Sequence, residues 1–257
     1  MEELKVTVQR LVGESDAQQA YCCMTEVPTP WPQALCQCQE WVARNLGEYI
    51  EGYHVQLESG EVAGHLYYAF SEKALIPYEI EEKVGVLYCE WVQRRYQGNG
   101  FGKRLFEAFK DEMHKQVVKG ILVENTGTDG EDHLKRYLGL GFEVHSESER
   151  GRLLYLPIGQ QEVEVHPLEP RIRSRKGAPV EILVIGGYMC PYEASTLLLL
   201  QEVAREYGDQ VVLHQVPLTP ETLKEYGVAG GIFVNGDPKL GGAETEESIR
   251  QVLQEAL

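Results

Sequence analysis

Residues 84–115 read VGVLYCEWVQRRYQGNGFGKRLFEAFKDEMHK, and three alternating glycines (Gly98, Gly100, Gly102) stand at their centre. On the N-terminal side lies a β-type apolar run, VGVLYCEWV. On the C-terminal side Leu105, Phe106, Phe109, Met113 and Val117 recur at helical spacing and share one face. The spacing predicts a strand, a glycine loop and a helix of about five turns, with Gly120 as the residue that stops it. Glycine at this density lets backbone turn sharply or approach a ligand closely. A helix entered from such a loop offers unpaired N–H groups and the positive end of its dipole, which together make an anion site.

Three phosphate loops compete for this stretch. A Walker A loop needs a glycine where Gln97 stands and Ser or Thr where Arg104 stands, so both ends fail. In the dinucleotide fingerprint G-x-G-x-x-G the third glycine comes one residue later than Gly102. The pattern [QR]-x-x-G-x-[GA] remains, as Gln97-Gly98-Asn99-Gly100-Phe101-Gly102. It follows Val92 and Tyr96, and forty residues after Gln97 comes Tyr137-Leu138-Gly139-Leu140-Gly141-Phe142. In loop, spacing and order of elements, residues 1–158 resemble the GNAT superfamily of acetyl-CoA-dependent N-acyltransferases.

The resemblance implies an α/β fold of the α+β type, with a mixed, mostly antiparallel sheet flanked by helices. It implies acetyl-CoA as co-substrate, its pyrophosphate cradled by Gln97, Gly98, Asn99, Gly100, Phe101 and Gly102, with Lys103 nearby. It further implies a bulge in the strand before the loop and a splay from the next strand. Backbone groups of Glu90, Trp91 and Val92 would then meet the pantetheine arm. Direct attack by an amine on the thioester needs a base and an acid. Tyr137 stands where the family places its thiolate-protonating tyrosine. For the base, Glu90 is the first choice and Glu124 the second. One departure stands out: the family's asparagine seven residues before the tyrosine is Gly130 here, and Asn125 is near but not aligned.

Around this core the sequence predicts further strands at ELKVTVQRL, GYHVQLE, GEVAGHLYYAF, GILVEN, GFEVHSE and RLLYLPI. It predicts helices around QALCQCQEWVARNL and DGEDHLKRYLGL, the second with Asp129 as its cap. The stretch 160–178 holds prolines and the basic cluster Arg171, Arg173, Arg175 and Lys176, and reads as a linker. Two domains follow: an acetyltransferase-like segment 1–159 and, after the linker, a small α/β domain 179–257. That last segment runs β-α-β-α-β-β-α, with a hairpin at Asn235-Gly236. It resembles the thioredoxin-like fold, whose strand-to-helix junction carries Cys-x-x-Cys. Here Cys190-Pro191-Tyr192-Glu193 lacks the second cysteine, leaving a monothiol role for Cys190 or a degenerate scaffold. The two-domain combination resembles a group of bacterial acetyltransferases.

The net charge of −16 argues against a nucleic-acid partner, which requires a basic footprint. No apolar run reaches the roughly 20 residues that span a bilayer, and MEELKVTVQR is unlike a signal peptide, so a cytoplasmic protein with reduced cysteines is expected. Cys22, Cys23, Cys36 and Cys38 lack the Cys-x2–4-Cys spacing of zinc sites, and no metal is expected. The functional expectation is acetyl transfer to a primary amine of a small molecule. The alternatives are a thiol-handling protein centred on Cys190 and an acyl-CoA-binding module without turnover. Neither the acceptor nor the oligomeric state is readable from the sequence.

Overall fold

The computed structural model describes residues 4–25, 31–126, 130–149, 151–159, 162–173 and 179–257. Asp129, Arg175 and Lys176, to which the sequence gives roles, lie outside the described residues. By backbone proximity the chain divides into two compact units. One comprises residues 1–23, 45–74 and 80–166; the other comprises 24–44, 75–79 and 167–257.

The first unit is built on a seven-stranded sheet. Its strands are β1 (Val6–Arg10), β2 (Glu51–Leu57), β3 (Val62–Phe70), β5 (Val84–Val92), β6 (Gly120–Thr126), β7 (Glu143–Ser148) and β8 (Gly151–Pro157). They lie in the order β1-β2-β3-β5-β6-β8-β7. Every neighbouring pair is antiparallel except β5 and β6, the one parallel junction in this sheet. Two further short strands are β4 (Tyr78–Ile80) and β9 (Val165–Pro167). β3 is buried at eight of its nine positions, as befits a central strand whose VAGHLYYAF reads apolar on both faces.

Between the parallel strands runs α3 (Phe101–Lys115). Leu105, Phe106, Phe109 and Met113 are buried against Leu66, Tyr68 and Leu87 of the sheet. Each such side chain contributes roughly 1.5–3 kcal/mol on burial. The helix is shorter than the sequence suggests. It ends at Lys115, and Val117, 74% exposed with φ +54°, takes the left-handed turn that Gly120 was expected to supply. Burial of Val118 explains this: one residue of that pair must leave the apolar stripe as the chain reverses into β6. Gly120 is needed for another reason, since a Cβ there would lie 2.3 Å from the Tyr155 ring. α4 (Gly130–Gly139) follows β6 and carries Tyr137. A short helix α1 (Glu14–Ala17) precedes these elements.

The second unit holds α2 (Pro32–Asn45, all but its last residue) and a four-stranded sheet in the order β11-β10-β12-β13. These strands are β10 (Val180–Ile185), β11 (Val211–Val216), β12 (Gly231–Val234) and β13 (Asp237–Leu240). β10 and β11 are parallel, β12 is antiparallel to β10, and β13 is antiparallel to β12. The helices are α5 (Pro191–Glu206), α6 (Pro220–Tyr226) and α7 (Glu246–Ala256). The β-α-β-α-β-β-α order therefore matches the sequence expectation element for element. Local chemistry accounts for it. Asn235 and Gly236 both have positive φ, as the two-residue hairpin turn requires. The Thr219 side chain caps α6, which ends at Gly227 with φ +68°, and Thr245 caps α7.

Candidate active site

The register of β5 sets the site. Tyr67 of β3 opposes Cys89 and Tyr68 opposes Leu87, so Tyr88 is bulged out of the ladder. On its other edge β5 pairs with β6 only from Val84 to Leu87, against Gly120 to Val123. Beyond the bulge the two strands have no common ladder. That is the splay expected before the glycine loop.

The glycine loop lies at the open end of this splay. Gly98 (φ +81°) and Gly100 (φ +76°) occupy the left-handed region, and a Cβ on either would meet nothing within 4 Å. These two glycines serve backbone direction and face open space. Gly100 is the N-cap of α3 and has no side-chain cap, so the first-turn N–H groups of residues 101–103 have no acceptor within the helix. The loop is braced from within: Gln97 Nε2 donates to Val92 O (3.0 Å) and Asn99 Nδ2 to Tyr96 O (3.0 Å). Val92 thus gives its carbonyl to Gln97 rather than leaving it for a ligand. Phe101 is buried, anchoring the loop and leaving only its backbone on offer. Lys103 pairs with Glu107 (3.7 Å) on the exposed face of the helix.

Gly102 is different. Its φ is not positive, yet a Cβ there would stand 3.0 Å from both Arg136 Nη2 and Glu90 Oε1. Arg136 reaches from α4 to ion-pair with Glu90 of β5, and the pair rests on the first turn of α3. The Glu90 side chain is 4% exposed. Its Oε2 is buried without a hydrogen-bond partner among the described residues. Burial pushes the Glu90 carboxyl above its ordinary pKa, opposed by the Arg136 charge and by hydrogen bonds from Arg136 and from the Tyr137 hydroxyl. The fold therefore brings together Glu90 and Tyr137, which sequence reasoning named separately, and adds Arg136, which it did not name.

Tyr137 is buried, edge-on to Phe142 (5.2 Å) and to His133 (4.8 Å). Asn125 Nδ2 lies 2.9 Å from His133 Nδ1, so the unaligned asparagine does face α4, through a histidine one turn before the tyrosine. Strand periodicity places Glu124 on the opposite face of β6 from Asn125, away from the side on which Tyr137 lies.

Across the sheet from Glu90, Trp91 and Cys89 share the other face of β5. Trp91 is 36% exposed. Cys89 Sγ lies 3.4 Å from His65 Nε2, while Cys22 Sγ lies 3.2 Å from His65 Nδ1. His65 stacks on Tyr67 (4.5 Å), whose hydroxyl is 3.1 Å from His54 Nε2. Burial holds His54 and His65 neutral, lowered to about 4 and about 3 respectively, and raises the Cys22 thiol. The two cysteines approach opposite nitrogens of one ring, a geometry in which they cannot share a metal ion with it.

In the second unit Cys190 is the N-cap of α5. Backbone N–H groups of Tyr192 and Glu193 lower its pKa, but burial and the Glu193 charge outweigh them, and the thiol is raised. Tyr192 packs edge-on against Trp31 (5.2 Å).

Residues 18–142, from just after α1 to the end of the Tyr137…Phe142 motif, match the profile of the acetyltransferase (GNAT) family. Those residues are a GNAT acetyltransferase domain. The chain is accordingly an acetyl-CoA-dependent acyltransferase, with a mixed sheet and flanking helices as its fold. Among solved structures it is similar to the ribosomal-protein-S18-alanine N-acetyltransferase of Escherichia coli, at 21% identity over 62% of this chain and 97% of that one (TM-score 0.43). It is similar to the spermidine/spermine N-acetyltransferase SpeG of Vibrio cholerae, 13% identical over 60% and 95% (TM-score 0.43). It is also similar to the PaiA N-acetyltransferase of Thermoplasma acidophilum in complex with coenzyme A, 11% identical over 60% and 99% (TM-score 0.42). No curated protein matches the sequence. Among the described residues no helix is long and apolar enough to cross a membrane.

Proposed function

We propose that the chain transfers the acetyl group of acetyl-CoA to the primary amine of a small molecule by direct attack. The observation that carries the catalytic half of this reading is the meeting of Glu90 and Tyr137 beside the uncapped start of α3, across the β5–β6 splay. The loop amides of residues 98–102 hold the pyrophosphate, and the stretch of β5 beyond its ladder with β6 receives the pantetheine arm. Glu90 takes a proton from the attacking nitrogen as the N–C bond forms. As the C–S bond breaks, the Tyr137 hydroxyl gives its proton to the departing thiolate. The two groups touch, so the proton gained by Glu90 can restore Tyr137. General acid–base pairs of this kind contribute about 10²–10⁴-fold each.

The acceptors named for the relatives, a ribosomal-protein alanine and a polyamine, bracket the choice between peptide and small molecule. The acidity of the chain favours a cationic acceptor. Residues 179–257 serve as a thioredoxin-like scaffold in this reading, which the βαβαββα order and the raised Cys190 thiol both support. A cytoplasmic location fits a substrate pool of acetyl-CoA.

Release of free CoA thiol across a panel of polyamines, small aromatic amines and peptide N-termini tests the reading. The expected result is release with at least one small amine, reduced about 100-fold in Glu90→Gln and in Tyr137→Phe. Release with peptides alone refutes the small-molecule acceptor. Release with no amine refutes the proposed reaction.

A further inference from the structure

The three-way contact of Arg136, Glu90 and Gly102 has no counterpart in the motif that identifies the loop. Arg136 sits immediately before Tyr137 on α4. Its side chain reaches 46 residues back in sequence to β5 and lays its guanidinium against one oxygen of a carboxylate. The third glycine of the loop makes room for it, since any side chain at residue 102 would stand against both partners at 3.0 Å.

We propose that Arg136 is the positioning residue of the acyl-transfer base: its guanidinium, lodged against Gly102, fixes Oε1 of Glu90 so that Oε2 alone points free as proton acceptor. The inference rests on the reading of Glu90 as base and says what sets its orientation and charge. A buried carboxylate with one oxygen satisfied by a charged donor and the other unpartnered has one direction in which to accept a proton.

The groups facing Glu90 are few. From α4 come Arg136 and the Tyr137 hydroxyl. From α3 come Gly102 and the positive end of the helix. From β3 the opposing residue is Leu66, which carries no charge. Among the described residues Arg136 is thus the one full positive charge acting on this carboxyl, and it keeps Glu90 ionised against the burial that favours protonation. Removing it leaves burial unopposed, so the proton affinity of Glu90 rises. The base then becomes active only at higher pH.

The test uses two readouts on the full chain. The first is a carbon-13 titration of glutamate-labelled protein, with the Glu90 carboxyl assigned through Glu90→Gln. It needs no substrate. Arg136→Gln is expected to move the Glu90 midpoint to higher pH, and Arg136→Lys to leave it near the wild-type position. An unmoved midpoint in Arg136→Gln overturns the proposal. If that variant does not fold, Arg136→Met, which keeps the apolar stem, is read in its place by the same criterion. The second readout is the pH profile of CoA release. In Arg136→Gln the acid limb should shift upward and kcat at pH 7 should fall about tenfold or more, with KM for acetyl-CoA changed less than about twofold. A loss confined to KM would make Arg136 a cofactor-binding residue and overturn the proposal. A wild-type chain that releases no CoA, with a Glu90 midpoint that still follows Arg136, sinks the transferase reading but leaves the pairing intact.

Discussion

Lowering the pH from 7 to 5 is expected to remove about 4 kcal/mol from the stability of the sheet around β2 and β3, and two buried histidines are the cause. His54 and His65 are enclosed on one face of the sheet, and burial lowers them from 6.5 to about 4 and about 3. Between those values and 6.5 the unfolded chain binds two protons that the folded chain refuses, so stability falls as pH falls. Each proton is worth about 1.4 kcal/mol per pH unit, and the window from 6.5 to 5 lies above both folded values, giving roughly 2 kcal/mol per histidine. Against a total of roughly 5–15 kcal/mol this is a large share. Glu90, whose carboxyl is raised, acts in the opposite direction, so single variants are needed to isolate the histidine contribution. Hydrogen exchange of β2–β3 peptides, corrected for the intrinsic rate, reads the opening free energy at each pH. His54→Gln and His65→Gln should each remove about half of the pH dependence, whatever they do to stability at pH 7. Equal protection at pH 5 and 7, or a slope that neither variant changes, would refute the reasoning.

Two further outcomes follow from packing and charge. Gly120→Ala places a methyl 2.3 Å from the Tyr155 ring, which is rigid, and is expected to destabilise the first unit by about 1–3 kcal/mol in a urea melt; wild-type stability would show that β6 and β8 yield. Cys190, with its thiol raised, should react with iodoacetamide at pH 7 more slowly than free cysteine, and Cys190→Ser should leave CoA release unchanged. Alkylation faster than free cysteine would restore the thiol-handling reading.

The loop was legible because backbone requirements leave a mark in sequence. Gly98 and Gly100 take left-handed φ, and the downstream Tyr137…Phe142 spacing is local to one helix and its exit turn. The order of elements over residues 179–257 was legible for the same reason, since hairpin, caps and strand runs are all short-range signals. What the sequence hid depends on tertiary contact. The reason for Gly102 is a pair of side chains contributed by β5 and α4, and nothing in QGNGFG points to them. His133 and Asn125 meet only because α4 folds back onto β6. The His65 cluster draws on residues 22, 54, 65, 67 and 89, which no periodicity links. The end of α3 was misplaced because Gly120, five residues beyond Lys115, looked like a stop, whereas burial of Val118 forces the turn earlier onto Val117.

The central claim is that the uncapped start of α3, reached through two left-handed glycines, holds the pyrophosphate of acetyl-CoA. Calorimetric titration of acetyl-CoA into the wild type and into the Gly98→Ala/Gly100→Ala double variant tests it most directly. Left-handed backbone costs alanine about 1–2 kcal/mol per residue, so the loop should relax away from its shape and affinity should fall about tenfold or more. Equal affinity in the two proteins, or no binding by the wild type, would contradict the account.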